Sequence, residues 1–419
     1  MLTGNPVTGS AFRGRHLYIT NGEGITIKTA FSNGRIILAD RILDGYSVTV
    51  EDAVISAVTR GNTAADKVVD LKGRYLAPGF IDMHTHGAGG HDFMDGTEET
   101  IKGACMTHLS HGTTSIVPTT LTCLNSELFE FFEVYRKVKA EWHEGPNLLG
   151  IHLEGPFFNA AQAGAQDPKF LQLPTRENFM PILEAGGSDI MRISVAVELE
   201  GALELGRELK KRGIIAAIGH SDATYAEVAK AVEAGYSFVT HLYSGMSALH
   251  RVGPYRVLGV VESAYLFDEL GVEIISDGKH LPPELLRLIV KNKGVDNICL
   301  ITDSMRGAGM PEGSRPKLGS LTNGQETLIR DGVAMMPDLK AFAGSVCTTD
   351  RCVRTMYKLA GVSLPDAVRM MTANPAKVLG VNDRKGAIAK GMDADLVVFD
   401  DGINISGVYV GGELRYAAE

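Results

Sequence analysis

Between residues 79 and 302 the sequence alternates eight times between a short apolar segment and a stretch with helical signals. Each apolar segment is typical of a buried β-strand, and buried strands joined by helices are typical of parallel sheets. The predicted strands are 79–84, 113–118, 148–153, 190–197, 214–219, 237–241, 272–276 and 297–302. Eight such units predict a closed, TIM-like (β/α)8 barrel. A doubly wound open sheet is the alternative, although no Gly-x-Gly-x-x-Gly motif opens a helix after the first strand.

Helix signals between these segments support the alternation. Ile101, Cys105 and Leu109 recur at a spacing of four residues, and Gly112 follows them as a stop. Thr224 is followed three residues later by a glutamate, which forms a capping-box pattern before a predicted helix over 225–234. These features predict amphipathic helices that cover the parallel strands.

Both ends of the chain carry short β-like runs instead of strand–helix units. Before residue 78 these runs are 24–27, 34–38, 47–50 and 67–71, and near the C-terminus they are 393–399 and 408–410. Helices that begin near Ser363 and Asn374 precede the C-terminal runs. We therefore predict a small β-sandwich domain built from residues 1–77 and 377–419, with the barrel of residues 78–376 inserted between its halves.

Charge and hydropathy exclude several classes of partner. The formal net charge is −9 and no run is rich in lysine and arginine, which argues against nucleic acid and anionic membranes. No apolar run approaches the length of a membrane span, and the segment from Met1 to Ala11 lacks the parts of a secretory signal. Five scattered cysteines fit a reducing compartment. We expect a cytoplasmic protein.

Polar side chains follow most of the predicted parallel strands, at the point where each strand ends. They are His84 and His86, Glu154, Glu198, His220, His241 and Asp303. The C-terminal rim of a barrel is where active sites are built, so residues remote in sequence meet there. Residues at i and i+2 in a strand share a face, so His84 and His86 point the same way. Any one of these residues could be merely solvated, but together they predict a metal site.

The chemistry of these side chains suggests their roles. Imidazole nitrogens and carboxylate oxygens are ligands that zinc and iron accept. Glu154 could bridge two cations, and His220 and His241 could complete the second site. Asp303 is the natural general base, and a bound cation would lower the pKa of water. We therefore expect two divalent cations, zinc or iron, per chain.

Four histidines and one arginine are weaker candidates. His152 precedes Glu154 by two residues in the same strand, and a core or supporting role is favoured over metal ligation. His280 follows the seventh strand and could reach substrate, although a plain loop histidine explains it nearly as well. His108 falls on a helix away from the rim and is expected to be structural. Arg251 and His250 are the charges near the sixth strand that could meet an anion.

Several blocks together resemble the amidohydrolase superfamily. They are the run from Pro78 to His86, the histidines of the fifth and sixth strands, the aspartate of the eighth strand, and the closing Asn374-Pro375-Ala376-Lys377. Within the superfamily, the blocks 152–157, 219–224, 240–243 and 301–306 resemble a group of amino-sugar-phosphate deacetylases. The resemblance extends from about residue 70 to about residue 400.

This resemblance implies a metal-dependent hydrolase that converts N-acetylglucosamine 6-phosphate into glucosamine 6-phosphate and acetate, commonly as a homodimer. It implies that Glu154, His220 and His241 hold metal, that Asp303 is catalytic, and that His280 binds substrate. Some members carry Gln-x-Asn at the first strand and keep one metal, so His84-x-His86 implies a two-metal form.

The substrate contacts implied by the resemblance fall partly on altered residues. The Gly-Ala-His of many members is Gly164-Ala165-Gln166 in this chain, which places Gln166 at a sugar contact. The usual Asn-Ala is Ser244-Gly245, and these residues together with Arg251 fall where members contact phosphate. In the family this arginine typically reaches across the dimer.

Three alternatives stay open. The substrate could be another N-acyl amino sugar, such as N-acetylgalactosamine 6-phosphate or an unphosphorylated sugar. The chain could be an amidohydrolase of the cyclic-imide or dipeptide type, but those commonly use a carboxylated lysine after the fourth strand, and 195–201 contains no lysine. A non-catalytic scaffold on the same fold should have lost ligands, and this chain has kept them all.

Overall fold

The computed structural model of the protein describes residues 27–418. Apart from Ile27, the predicted strand at 24–27 lies outside the described residues, as does the segment from Met1 to Ala11. The strands are β1 (Thr29–Ile37), β2 (Ile42–Glu51), β3 (Val54–Arg60), β4 (Lys67–Asp70), β5 (Tyr75–Pro78), β6 (Phe80–Thr85), β7 (Gly87–Ala88), β8 (His91–Asp92), β9 (Thr113–Pro118), β10 (Asn147–Leu148), β11 (Ile151–Glu154), β12 (Ile190–Val195), β13 (Ile215–Ile218), β14 (Tyr236–Val239), β15 (His250–Val252), β16 (Tyr255–Val257), β17 (Gly271–Ile275), β18 (Ile298–Ile301), β19 (Lys317–Leu318), β20 (Gln325–Glu326), β21 (Leu328–Arg330), β22 (Val333–Met335), β23 (Leu396–Phe399), β24 (Ile405–Val410) and β25 (Glu413–Ala417). The α-helices are α1 (Glu98–Ser110), α2 (Asn125–Glu141), α3 (Arg176–Gly186), α4 (Ala202–Arg212), α5 (Tyr225–Ala234), α6 (Val260–Leu266), α7 (Pro283–Lys293), α8 (Thr349–Lys358), α9 (Leu364–Met371) and α10 (Ala373–Val378).

One sheet joins the two ends of the chain. Its strand order is β25-β24-β23-β5-β1-β2-β3, and β4 pairs with β1. The antiparallel pairing of β23 with β5, in which Leu396 lies opposite Pro78, connects the C-terminal strands to the N-terminal ones. Phe31, Val48 and Leu76 pack with Leu396 in an apolar cluster of this sheet. Apart from the segment at 24–27, the strand segments expected at both chain ends are therefore present and share one sheet.

The eight strands predicted between residues 79 and 302 are present as β6, β9, β11, β12, β13, β14, β17 and β18. β9 pairs in parallel with β6, and β11 to β18 form a six-stranded parallel sheet in the order β11-β12-β13-β14-β17-β18. The third predicted strand differs from expectation because it is split. β10 pairs with β9, whereas β11 pairs with β12. Gly150 lies at the break between β10 and β11, where an added Cβ would meet Met191.

Hydrogen bonds also connect the ends of the two parallel sheets. The N–H of Thr120 donates to the carbonyl of His152 at 3.0 Å, and the N–H of Asp303 donates to the carbonyl of His84 at 2.9 Å. These contacts link β9 to β11 and β18 to β6. The carboxyl ends of the second and third predicted strands, and those of the eighth and first, are therefore held next to each other.

The helices α1 and α5, for which the sequence carries signals, are present at the expected places. In α1, Ile101, Cys105 and Leu109 are all buried against the core. The Glu227 carboxylate accepts a hydrogen bond from the Thr224 N–H at 2.8 Å at the start of α5. Gly235 ends that helix with φ of 110°, a conformation that glycine adopts without strain. Among residues 27–418, no helix is both long and apolar enough to cross a bilayer.

Candidate metal centre

Two groups of potential metal ligands lie at the carboxyl ends of the parallel strands. The first consists of His84, His86 and Asp303, and the second consists of Glu154, His220 and His241. Within each group, one ligand atom from each residue lies within 4.8 Å of the others, and all six residues are buried. The structure thus brings together the residues that the sequence singled out as ligands and as general base.

Glu154, the last residue of β11, lies between the two groups. Its Oε1 is 2.9 Å from His241 Nε2, 3.2 Å from His220 Nε2 and 3.4 Å from His84 Nε2. Its Oε2 is 3.2 Å from His86 Nε2. Both carboxylate oxygens therefore face imidazole nitrogens, which is the arrangement expected of a bridging ligand.

The backbone is strained at three of these strand ends. His220, His241 and Asp303 have φ values of 47°, 27° and 47°. Non-glycine residues rarely adopt such angles, which cost on the order of 1–3 kcal/mol and cluster at functional sites. Each residue directly follows a buried segment of its sheet, and the bend turns its side chain toward Glu154 or His84.

In the second group, the positions of the protons on the histidine rings leave the Nε2 atoms free to bind a cation. His220 Nδ1 lies 2.8 Å from the carbonyl oxygen of Gln162, and His241 Nδ1 lies 3.1 Å from that of Ser244. Carbonyl oxygens only accept hydrogen bonds, so each ring carries a proton on Nδ1. In the neutral rings, the Nε2 lone pairs then face each other at 3.2 Å and face Glu154 Oε1. Glu154, His220 and His241 could hold a divalent cation, which would replace this repulsion with coordination.

The first group fits a cation for a similar reason. His84 Nδ1 lies 2.6 Å from the carboxylate oxygen Oε1 of Glu273. Among the described residues, the buried Nε2 of His84 has no hydrogen-bond partner. Asp303 Oδ1 lies 3.4 Å from that atom and 3.2 Å from His86 Nε2. The donor chemistry of both groups therefore fits a divalent metal ion.

Burial and neighbouring charges act against each other on these side chains. Burial alone would lower the pKa of His86, but the carboxylates of Asp303 and Glu154 raise it to about 9. Burial would raise the pKa of Asp303, but His84 and His86 bring it below its ordinary value. Burial would likewise raise the pKa of Glu154, and its histidine neighbours hold it well below the usual range. Both carboxylates are therefore ionised and able to accept a proton or a cation.

A buried ion pair that the sequence analysis missed lies beside the site. Glu273 in β17 accepts from His84 Nδ1 and from the backbone N–H of His241 at 3.1 Å, and it pairs with Arg192 in β12. Burial would raise the pKa of Glu273, but Arg192 and His84 lower it to about 2. The signal was present in the sequence, because a charged residue within an otherwise apolar strand needs a buried partner.

The weaker histidine candidates occupy supporting positions. His152 Nε2 contacts Ser194 Oγ at 2.8 Å, and its ring packs edge-on against His84, in keeping with the supporting role expected. His108 lies nearer the site than its place on a helix suggested. Its Nε2 contacts the hydroxyls of Thr85 and Ser304 at 2.9 and 3.3 Å. Thr85 lies between His84 and His86 in the chain, and Ser304 follows Asp303. Sequence spacing could not show this contact, because α1 and β18 are far apart along the chain.

Glu198 lies apart from the donor groups. The strand that precedes it, β12, ends at Val195. The Glu198 carboxylate accepts hydrogen bonds from Asn159 Nδ2, Ser221 Oγ and the backbone N–H of Asp222. Its role in the fold is to join the loops after β11 and β13.

Three of the expected substrate residues lie against the metal-ligand candidates. Gln166 Nε2 donates to Glu154 Oε2 at 2.7 Å. The carbonyl of Ser244 accepts from His241, as described above. Gly245 has φ of 54°, and an added Cβ would lie 2.9 Å from His220 Nδ1, so only glycine fits this approach.

The other two expected substrate residues, His280 and Arg251, belong to neither donor group. His280 Nδ1 contacts Asp277 Oδ2 at 2.9 Å, and its ring lies 4.5 Å from that of Phe342. Arg251 is exposed on the hairpin formed by β15 and β16, directly opposite Arg256. The hairpin is not part of either donor group.

The sequence profile of the Amidohydrolase family matches residues 75–415. The chain therefore belongs to the amidohydrolase family, a class of hydrolases, as its motifs indicated. Within that class it is similar to the N-acetylglucosamine-6-phosphate deacetylase of Bacillus subtilis, with 34% identity over 87% of this chain and 91% of the relative. It is also 29% identical to the N-acetylgalactosamine-6-phosphate deacetylase of Escherichia coli O157:H7, over 91% of this chain and 97% of that protein.

A solved structure is also similar to this chain in its fold. An N-acetyl-D-glucosamine-6-phosphate deacetylase variant from Mycobacterium smegmatis, in complex with N-acetyl-D-glucosamine-6-phosphate, superposes with a TM-score of 0.84. That comparison covers 94% of this chain and 100% of the other, at 28% sequence identity. This chain therefore shares the fold of an amidohydrolase whose sugar-phosphate complex is known.

Proposed function

We propose that this protein hydrolyses the acetamide of N-acetylglucosamine 6-phosphate, giving glucosamine 6-phosphate and acetate. The observation that carries the proposal is the buried Asp303 carboxylate, which lies within 3.4 Å of two imidazole nitrogens beside the bridging Glu154. Similarity to named deacetylases over most of the chain supports the substrate class.

The proposed cofactor is a pair of divalent cations, zinc or iron. His84 and His86 would hold one of them and His220 and His241 the other, with Glu154 between. When bound, such cations polarise a carbonyl and lower the pKa of water toward about 7. All other steps depend on the chain's own side chains.

Asp303 is the proposed general base and general acid. Its ionised carboxylate takes a proton from the water whose oxygen attacks the acetyl carbon. It then gives the proton to the sugar nitrogen as the C–N bond breaks, so that the amine and acetate leave. Positioned acid–base groups of this kind typically contribute about 10²–10⁴-fold to the rate.

The proposed substrate contacts are Gln166, Ser244, Gly245, Arg251 and His280. Arg251 is the proposed cation for the 6-phosphate, since a guanidinium can hold phosphate through two hydrogen bonds. The proposed assembly is a homodimer, which sedimentation of the purified protein would test. The proposed location is the cytoplasm, and the five cysteines, none of them in a disulfide, fit it.

The proposed architecture is one closed (β/α)8 barrel. In this proposal the two parallel sheets are parts of a single ring covering residues 78–376. The small β-domain around it takes in the described parts of the segments 1–77 and 377–419. The hydrogen bonds that join β9 to β11 and β18 to β6 support the closure.

The second candidate substrate is N-acetylgalactosamine 6-phosphate, which the similarity to the Escherichia coli enzyme favours. The test is acetate release from N-acetylglucosamine and N-acetylgalactosamine, each with and without the 6-phosphate, with the Asp303→Asn protein as background. We expect the highest kcat/KM for N-acetylglucosamine 6-phosphate. A higher value for another sugar would replace the proposed substrate, and no release from any of the four would reject the deacetylase.

A further inference from the structure

The buried ion pair of Glu273 and Arg192 is unusual because both charged side chains come from parallel strands, Arg192 from β12 and Glu273 from β17. Both side chains are fully buried, and Arg192 is the largest of the fully buried side chains. Desolvating two charges costs several kcal/mol per ion, and apolar residues of similar volume usually fill such a space equally well. Core packing alone therefore does not explain this ion pair.

The contacts of Glu273 Oε1 supply that reason. This single oxygen lies 2.6 Å from His84 Nδ1 and 3.1 Å from the backbone nitrogen of His241. A carboxylate only accepts, so His84 carries its proton on Nδ1 and directs the lone pair of Nε2 away from Glu273. That Nε2 is the atom that faces Glu154 and Asp303. One oxygen thus contacts a residue from each donor group.

Arg192 fixes the other half of the carboxylate. Its Nη1 donates to Glu273 Oε2, and its Nη2 donates to Thr240 Oγ1 at 3.1 Å. Thr240 directly precedes His241 in the chain. Because Oε2 is occupied by Arg192, only Oε1 is left for His84, and the carboxylate cannot rotate without losing a charged partner.

We propose that Glu273, held in place by Arg192, is a positioning residue that fixes the proton and ring orientation of His84 and so prepares the first donor group for a cation. This inference rests on the proposed metal site and is independent of the sugar substrate. Partners of this kind, behind a ligating histidine, typically contribute about 10–100-fold to metal affinity.

The test measures Zn²⁺ binding to chelator-stripped protein by calorimetry, together with thermal unfolding. The main variant is Arg192→Met/Glu273→Leu, because replacing both charges with apolar residues leaves no unpaired buried ion. We expect this protein to fold and to bind one of its two Zn²⁺ ions about 10–100-fold more weakly than wild type. We expect the second ion, at Glu154, His220 and His241, to lose less affinity, because Glu273 contacts the backbone N–H of His241 and not its ring.

Glu273→Gln provides a second measurement. His84 and Arg192 donate to opposite oxygens of Glu273, and in the amide one of these positions is an NH2 group that only donates, so we expect the same selective loss. The control is Lys385→Met/Asp395→Leu, which removes another buried ion pair that contacts neither donor group. That control should bind both ions as wild type does, even if its unfolding temperature falls.

Three outcomes would overturn the inference. The first is a folded Arg192→Met/Glu273→Leu protein that binds both ions with wild-type affinity. The second is a loss of affinity for both Zn²⁺ ions that is no larger than the loss measured for Lys385→Met/Asp395→Leu. The third is an Arg192→Met/Glu273→Leu protein that fails to fold together with a folded Glu273→Gln protein of unchanged affinity. Wild-type protein that binds no Zn²⁺ would instead reject the metal site of the proposed function, and lack of sugar turnover would leave this test intact.

Discussion

Gln166 Nε2 donates a hydrogen bond of 2.7 Å to Oε2 of Glu154. The orientation of this amide is fixed, because its Oε1 accepts from the backbone N–H of Thr122 at 2.9 Å, an atom that can only donate. Gln166 therefore connects the loop after β9 to the carboxylate that lies between the two donor groups. The sequence resemblance suggested a sugar contact at this position, and the geometry adds a role in holding Glu154.

Replacing Gln166 with alanine removes the donor that fixes Glu154 Oε2. We expect Gln166→Ala to fold and to bind divalent cations about 10–100-fold more weakly, because supporting contacts of metal ligands typically have effects of this size. Zn²⁺ titration of the stripped protein measures this. Gln172→Ala is the matched control, since Gln172 Nε2 donates to Asn125 Oδ1 at 3.2 Å in the same loop region, and neither residue belongs to a donor group. Equal Zn²⁺ affinities for Gln166→Ala and wild type would show that Glu154 needs no such support.

Removing His84 of β6 together with His86, just after the strand, should change the metal count. We expect two divalent ions per chain in metal-replete protein and one in His84→Ala/His86→Ala, because the second donor group stays complete. Elemental analysis after gel filtration gives both numbers. A stoichiometry of one that the double substitution leaves unchanged would contradict the two-metal proposal.

Replacing Asp303 with asparagine should separate catalysis from metal binding. The amide keeps the shape of the side chain but cannot take a proton, so we expect kcat to fall about 10²–10⁴-fold. Acetate release and metal content are measured on the same sample. Asp268→Asn, an exposed substitution, should retain full activity. Near-normal turnover by a folded, metal-loaded Asp303→Asn protein would remove Asp303 from the proposed mechanism.

The sequence predicted the parallel strands well because burial and turn signals are local. β9 has the predicted bounds, 113–118, and α5 has the predicted bounds, 225–234. The break at Gly150 was not predicted, since the apolar run there continues and the change of pairing partner depends on neighbouring strands. Strand periodicity gives the face on which a side chain lies, but not the partner that it meets across the sheet.

The candidate site was likewise predicted in one part and missed in another. Histidines at strand ends were recognised from motif and position alone. Glu273 and Arg192 were not recognised, because their role depends on a contact between residues 81 positions apart. The placement of His108 behind Thr85 and Ser304 is another long-range contact that no local pattern encodes. Sequence reasoning therefore found the ligand candidates and missed the layer that supports them.

Asp350 should make stability depend on acid pH. Burial would raise the pKa of this carboxyl, but His111, Thr348 and Arg354 lower it to about 2 from an ordinary value of 3.8. A lowered pKa in the folded state stabilises the protein above the unfolded-state pKa, and this stabilisation is lost as pH falls through the folded-state value. The contribution is about 2 kcal/mol near neutral pH.

Urea unfolding measures this effect in wild type and Asp350→Asn. We expect Asp350→Asn to be less stable by about 2 kcal/mol at pH 7, with a difference that narrows as pH falls from about 4 toward about 2. Asp40→Asn, an exposed substitution, is the control and should follow wild type throughout. A difference that stays constant over this pH range would show that the loss comes from packing and not from ionisation.

Arg251 provides the last prediction. On the exposed hairpin it lies directly opposite Arg256, and like charges at opposed positions destabilise a strand pair. An anion near the hairpin would offset this repulsion, and the resemblance assigns the phosphate contact to Arg251. A hydrogen bond to a charged group contributes about 1.5–3 kcal/mol, so Arg251→Ala should raise KM for the 6-phosphate sugar about 10–100-fold.

Arg256→Ala is the matched variant, because it removes the same charge from the same hairpin. We expect it to change KM much less than Arg251→Ala, and we expect only Arg251→Ala to narrow the preference for the phosphorylated over the unphosphorylated sugar. Steady-state kinetics of both variants on both sugars are the measurement. If Arg251→Ala keeps the wild-type preference for the phosphorylated sugar, Arg251 does not bind the phosphate. Equal effects of the two substitutions would indicate a general attraction of the hairpin for anions, since a bidentate contact depends on one guanidinium.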